Sequence, residues 1–403
     1  MNHSIKVTHH TYWLGANDHQ TDLFESLWPL PKGVTYNCYL IDDEKTALID
    51  TVKGPFLTQL VEKLKGLLGE RPLDYLVVNH MEPDHSGAIK LLRCVYPQLK
   101  IIGNVQTKGM LENFYALTEN IQIVKDGDTL DLGKHTLSFH LVPMVHWPET
   151  MVTYDHSTKT LFSCDAFGGF GSLDGGLFDD ELDMQYYEDE VLRYFSNIVG
   201  RYSPQVQKAI EKLKGLDISI VAPSHGPIHR KNPGRIITLY DRWSRNETEC
   251  GAVIVFGSMY GNTQKMAETV ARAMAEEGIE KMAYHDISRS HVSYVVKDIW
   301  KYKGLILASC TYNTTLFPPM ADLIMHLKNK MMKGRMVGIL GSYSWSKGAL
   351  AELQNFADSG DWELVQPTVE VKSAPFEEDL EKCMELGRKM AQKMKMCYVP
   401  GMK

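Results

Sequence analysis

Between Tyr240 and Gly251 the chain reads YDRWSRNETECG, polar and charged almost throughout, and then passes at once into the apolar run Ala252–Phe256. A stretch that cannot bury itself, set between two regions that can, divides the polypeptide into parts with separate cores. The boundary is placed at 249/250, giving domains of residues 1–249 and 250–403. With 403 residues, 44% of them hydrophobic, each part has enough apolar material for its own core.

The two parts carry different patterns. Before the break, short strand-like runs (Tyr36–Ile41, Ala47–Asp50, Tyr75–Asn79, Thr136–Pro143, Met151–Asp155, Ile218–Pro223) are interrupted by helical periodicity at Phe56–Leu68, Glu181–Val199 and Pro204–Lys214. Such a mixture predicts a sheet-rich α/β sandwich. After the break, buried-strand runs at Ala252–Phe256, Gly304–Ser309 and Arg335–Gly341 alternate with helical patterns at Gln264–Glu277, Met320–Lys330 and Phe376–Met396. Strict alternation predicts a doubly wound parallel sheet.

Composition narrows the partners. The 43 basic and 50 acidic residues leave a net charge of −7, which argues against a nucleic-acid binder. Seven scattered cysteines with no CxxC pair read as reduced thiols of a cytoplasmic protein. The start, MNHSIKVTHH, has no signal-type apolar region. No apolar run approaches the ~20 residues of a membrane helix.

Chemistry concentrates at strand ends. Twelve of the 15 histidines precede residue 251. The run Tyr75–Asn79 leads into His80-Met-Glu82-Pro-Asp84-His85, and His146, Asp165 and His225 each follow a strand-like run. Alternate residues of an extended chain point the same way, so His80, Glu82 and Asp84 are expected on one face, with His85 opening the next helix. A lone histidine after a strand is ordinarily a loop residue, and an acidic turn is ordinarily solvated; the ordered set is what points to metal. It is too large for one structural zinc. Two ions sharing a carboxylate fit the count, and mixed imidazole and carboxylate ligands suit iron as well as zinc.

In the second part, Ser258-Met259-Tyr260-Gly261-Asn262-Thr263 joins the first strand to the first helix. Backbone N–H groups and the Ser258 and Thr263 hydroxyls at a helix N-terminus suit a phosphate, and Gly261 would allow close approach. Without GxGxxG, a mononucleotide is expected rather than a dinucleotide. Two further loops, carrying Thr311-Tyr312-Asn313 and Ser342-Tyr343-Ser344-Trp345, follow later strands. Their aromatic residues can stack on a flat isoalloxazine ring, which makes FMN the expected cofactor.

The His80–His85 cluster resembles the metallo-β-lactamase superfamily pattern, in which two histidines alternate before an Asp-His pair. Glu82 stands where the second histidine is usual, and an oxygen ligand there favours iron over zinc. With His146-Trp-Pro, Asp165, Pro223-Ser-His225-Gly and the three flavin loops in order, nearly the whole chain resembles the flavodiiron proteins. That resemblance implies a metallo-β-lactamase-like αββα sandwich followed by a flavodoxin-like domain. It implies two irons, one held by His80, Glu82 and His146, the other by Asp84 and His225, with Asp165 bridging and His85 a further candidate. It implies reduction of O2 to water, of NO to N2O, or both, with Tyr194 a candidate hydrogen-bond donor to the bound diatomic. It further implies a head-to-tail homodimer, or a tetramer built from it, with Trp345 near the partner's metal domain. An external donor would feed the FMN, either a rubredoxin-like protein or a reduced deazaflavin, since no rubredoxin CxxC pair is present. One departure is Cys310, where the familiar second loop has proline. Two competing readings are a zinc metallohydrolase with an appended flavodoxin-like module, which Glu82 speaks against, and a non-enzymatic electron carrier.

Overall fold

The computed structural model describes residues 4–173 and 175–398; the outer ends of the two expected domains, 1–3 and 399–403, lie outside the described residues. The chain divides into two units, Met1–Ser244 and Arg245–Lys403. The division falls ahead of the expected 249/250, and the first strand of the second unit runs Glu249–Gly257, starting before Ala252.

The first unit is built on two large sheets. Seven strands form one, in the order Ile5–Lys6, Thr11–Trp13, Tyr39–Asp42, Thr46–Ile49, Tyr75–Val77, Lys100–Gly103, Ile121–Ile123. Five form the other, in the order Thr129–Asp131, Thr136–Leu141, Met151–Asp155, Thr160–Cys164, Ile220–Pro223. Ile41, Ile49, Val77 and Ile102 of the first sheet and Phe139, Met151, Phe162 and Ala222 of the second share one buried cluster. The apolar inner faces of both sheets thus supply one core, as expected of a sandwich.

Two sequence-based expectations for this unit need correction. Tyr36–Ile41 is not one strand, because Val34–Tyr36 and Tyr39–Asp42 belong to different sheets. The break comes at Asn37, whose buried side chain accepts from Trp13 Nε1 (2.8 Å) and donates to the carbonyls of Pro223 and Gly226 (2.9 Å each). The helix expected at Glu181–Val199 begins only at Met184, where Asp183 caps it by accepting from the Gln185 N–H. It runs to Tyr194 and continues over Phe195–Val199 as a wider π-helical turn.

In the second unit the main strands are all parallel, in the order Met282–Asp286, Glu249–Gly257, Tyr302–Tyr312, Lys333–Tyr343, with Asp361–Leu364 and Val369–Lys372 pairing with the start and the end of Lys333–Tyr343. Counted along the chain this is the 2-1-3-4-5 order of a flavodoxin-like sheet. The central strands are continuously buried over Ala252–Val255 and Leu305–Ala308, which is why they read as unbroken apolar runs. The edge strand Met282–Asp286 is half-buried and gives no such signal. Among the described residues no helix is long and apolar enough to cross a membrane.

Candidate functional site

In the first unit the six-residue cluster follows strand Tyr75–Val77, Asp165 follows Thr160–Cys164, and His225 follows Ile220–Pro223. His146 lies in the loop before Met151–Asp155. Pro83 opens a short helix, Pro83–Ser86, in the position where a missing N–H costs nothing. That turn carries Asp84 away from His80 and Glu82, so the expected common face of the three does not form. The side chains sort instead into two groups. His80, Glu82, His146 and Asp165 each offer a ligand atom within 4.8 Å of the others, and so do Asp84, His85 and His225.

Asp165 belongs to both groups by geometry. Its Oδ2 is 3.0 Å from His146 Nε2 and 3.4 Å from His80 Nε2. Its Oδ1 is 2.9 Å from His85 Nε2 and 3.5 Å from His225 Nε2. Glu82 Oε2 completes the first group at 3.1 Å from His146 Nε2, and Asp84 Oδ2 faces His225 Nε2 at 3.3 Å.

The cluster is built to hold positive charge. Burial opposes a proton on His80, but Asp165, Glu149 and Glu82 outweigh it and push the pKa up to about 10. Burial likewise opposes a proton on His146, where Asp165 and Glu82 prevail, again to about 10. His85 is desolvated too, yet Asp84 and Asp165 raise it to about 9. Burial works against ionisation of Glu82 and Asp165, and the surrounding imidazoles nonetheless hold both carboxyls well below the usual carboxylate range.

The donor set fits a pair of cations. Both carboxylate oxygens of Asp84, both ring nitrogens of His85, Asp165 Oδ1 and His225 Nε2 are buried without a hydrogen-bond partner. Asp165 Oδ1 and His85 Nε2 still face each other at 2.9 Å, but both oxygens of Asp84 and Nδ1 of His85 are left without a hydrogen bond, and an unpartnered buried polar atom costs about 1–3 kcal/mol. Imidazole and carboxylate donors facing a common centre are what a borderline or hard divalent metal takes.

Residues that the sequence reading passed over hold this cluster in place. Buried Glu149 accepts at Oε1 from His80 Nδ1 (2.7 Å) and from the Met81 N–H (2.8 Å). Asp50 accepts from the Asn79 N–H at 2.7 Å. His225 donates from Nδ1 to the Thr35 carbonyl at 2.5 Å. Nothing distinguishes these from ordinary polar residues along the chain; only Glu149, three places after His146, stood near a marked motif. Tyr194 is fully buried, its ring 5.6 Å from that of His225, and its hydroxyl has no partner. Phe24 and Phe170 complete an aromatic wall against it, with ring centroids 6.0 and 5.1 Å from that of Tyr194. A pocket of about 490 Å³ opens beside Glu82 and Asp84, walled by Phe24, Glu25, Tyr36 and Tyr115.

The second unit has its own pocket, about 270 Å³, at the carboxyl ends of its parallel strands. All residues of the three expected loops line it except Gly261. Gly261 is required by its φ of +88° rather than by crowding, since a Cβ there would meet no protein atom within 4 Å. Ser258 is not the helix cap: its hydroxyl accepts from the Gly261 N–H, and the helix Asn262–Glu276 begins after Gly261. Thr263 and Ser342 tie the first and third loops together through a 2.8 Å hydroxyl–hydroxyl bond. Tyr260 and Trp345 stand 88% and 84% exposed at the rim. Cys310, Thr314, Ser346 and Ser373 also line the pocket; Ser373 follows strand Val369–Lys372, a strand end absent from the sequence reading.

Comparison with known proteins agrees with both halves. Residues 34–226 match the family described as ODP family beta lactamase, and residues 254–387 match Flavodoxin. The chain is 35% identical over 399 residues to a nitric oxide reductase of Moorella thermoacetica, covering 98% of this chain and 100% of the relative. The rubredoxin oxygen:oxidoreductase of Desulfovibrio gigas superposes with a TM-score of 0.94 at 29% identity, covering 98% of this chain and 99% of that one. The flavodiiron protein of Giardia intestinalis gives 0.92 at 27% identity, over 98% and 97% of the two chains.

Proposed function

The chain belongs to the flavodiiron protein family, an oxidoreductase with FMN and a diiron site, and on that premise we propose that it reduces O2 to water, NO to N2O, or both. The supporting observation is Asp165, which turns one carboxylate oxygen to each group of candidate ligands. His80, Glu82 and His146 would hold one iron and Asp84, His85 and His225 the other, with Asp165 between them. When bound, the irons supply electrons and Lewis acidity, and FMN passes electrons on singly.

The chain's own residues prepare the place where a diatomic would bind. Phe24, Phe170 and Tyr194 form an aromatic wall there, and the Tyr194 hydroxyl is buried without a hydrogen-bond partner. It is suited to donate a hydrogen bond to a bound diatomic and so to stabilise negative charge developing there. In the other unit, the loops at Ser258–Thr263, Thr311–Asn313 and Ser342–Trp345 would grip FMN, phosphate at the helix N-terminus and ring among the aromatics.

We assign diiron chemistry to residues 1–249 and flavin chemistry to 250–403, a reading supported by the ligand groups of the first unit and the loop-lined pocket of the second. A rubredoxin-like protein would deliver electrons, in line with the name of the Desulfovibrio gigas neighbour, and a reduced deazaflavin is the other donor class. A head-to-tail dimer would bring FMN of one protomer to the diiron site of the next, in a cytoplasmic enzyme. The test is anaerobic stopped flow. Protein with reduced FMN is mixed separately with O2 and with NO, and flavin reoxidation is followed at several protein concentrations. Fast reoxidation by at least one gas is expected, slowing on dilution as dimers part. Failure with both gases contradicts the reading, and full turnover by a monomer contradicts the dimer.

A further inference from the structure

The two groups of ligands are oriented by unlike partners. His80 donates from Nδ1 to a carboxylate, that of Glu149, whereas His225 donates from Nδ1 to a neutral carbonyl, that of Thr35. Glu149 is fully buried, and Oε1 is fixed a second time by the Met81 N–H. Its backbone is fixed as well, because its carbonyl accepts from Asn104 Nδ2 at 2.5 Å, and Asn104 in turn caps the helix Val105–Tyr115. A carboxylate behind a ligating imidazole sets the ring orientation and the tautomer, and it makes the opposite nitrogen a stronger donor; a carbonyl does the first two with less charge. The other Glu149 oxygen, Oε2, has no hydrogen-bond partner, so its negative charge is spent on little besides His80 and Met81.

Resting on the diiron reading, we propose that Glu149 is the positioning residue for His80 and that it makes the two metal positions unequal. The position held by His80, Glu82 and His146 keeps its ion more tightly than the one held by Asp84, His85 and His225. The first collects the charge of Glu82, of Asp165 and, through His80, of Glu149. The second has Asp84 and Asp165; buried Asp50 acts on His85 through space, but no carboxylate hydrogen-bonds to the rear ring nitrogen of His85 or His225. The anionic partner therefore anchors one ion, leaving the other as the exchangeable member of the pair.

The experiment is metal release from the full-length protein, loaded anaerobically with ferrous iron and challenged with 2,2′-bipyridine, iron appearing as the coloured chelate. The wild type is expected to release its iron in two phases of equal amplitude. His225→Ala should lack the fast phase and His146→Ala the slow one, which assigns them. Glu149→Gln keeps the shape and the acceptor oxygen but removes the charge; its slow phase should quicken about tenfold or more while the fast phase is unchanged. Glu149→Asp restores the charge and should fall between the two. A single phase in the wild type, an unaltered slow phase in Glu149→Gln, or equal quickening of both phases, the mark of general loosening, overturns the proposal. Should Glu149→Gln yield no folded protein, the same criteria apply to Glu149→Asp. Failure of the wild type to take up two irons contradicts the diiron reading itself, a result distinct from all of these.

Discussion

Asp165 Oδ1 stands 2.9 Å from His85 Nε2, while the other oxygen of the same carboxylate stands 3.0 Å from His146 Nε2. One fully buried side chain is thus the common wall of two ligand groups. Replacing it removes a donor from both. Asp165→Ala is expected to cut iron content from about two per chain to less than one and to lower turnover by more than the ~100-fold typical of losing an outer contact. FMN, held in the other unit, should stay at about one per chain. Iron and flavin analysis of the purified variant checks this; retention of both irons would contradict it.

Tyr194 separates a chemical role from a structural one. Its hydroxyl is buried with no partner, so the fold gains nothing from it. Tyr194→Phe should leave the denaturation midpoint unchanged or raise it slightly, because removing an unpaired buried polar group relieves a cost. Turnover with O2 or NO should fall about tenfold or more, in keeping with loss of one donor at a developing charge. A stability loss with unchanged turnover would assign the residue to packing.

The Thr263–Ser342 bond predicts a flavin phenotype confined to the second unit. Thr263→Val removes a hydroxyl that lines the pocket and ties two loops. FMN affinity should weaken about tenfold, near 1.4 kcal/mol. Flavin fluorescence titration of the deflavinated variant measures it, and iron content should not change.

A pH dependence of stability follows from His135 and Asp155, paired at 2.8 Å at the end of strand Met151–Asp155 opposite to the His146 loop. The hydrogen bond that His135 donates to Asp155 raises His135 above its ordinary 6.5, despite opposing burial. That contribution is complete below pH 6.5 and is lost as pH rises through the raised folded value. Burial pushes Asp155 up, but His135 and Thr158 outweigh it and lower the carboxyl below its ordinary 3.8. Its share is present above pH 3.8 and is lost as pH falls through the lowered folded value. Both shares are present near pH 5. Asp155→Asn should therefore cost more stability at about pH 5 than at about pH 9, read from urea unfolding of the first unit; the reverse order would contradict the assignment.

Much of the site was legible because the ligands sit at strand ends in one order along the chain. Pro83 shows both the strength and the weakness of that reading. Treating His80 to Asp84 as extended put Asp84 with His80, although a proline at a helix start was in plain view and signals the turn that sends Asp84 to the other group. Asn37 broke a run that looked like one strand through bonds to Trp13, Pro223 and Gly226, partners distant in sequence. Glu149 and Thr35 were illegible for the same reason, since a residue that orients a ligand is marked by where the chain folds and not by its neighbours. In the flavin unit the continuous apolar strands were read correctly, and the half-buried edge strand Met282–Asp286 was not.

The most direct measurement is the metal and flavin content of protein purified without exposure to air. About two irons and one FMN per chain are predicted, the loading that the two ligand groups and the three loops are built to accept. Two zincs with little or no flavin would contradict the account and turn attention to hydrolysis.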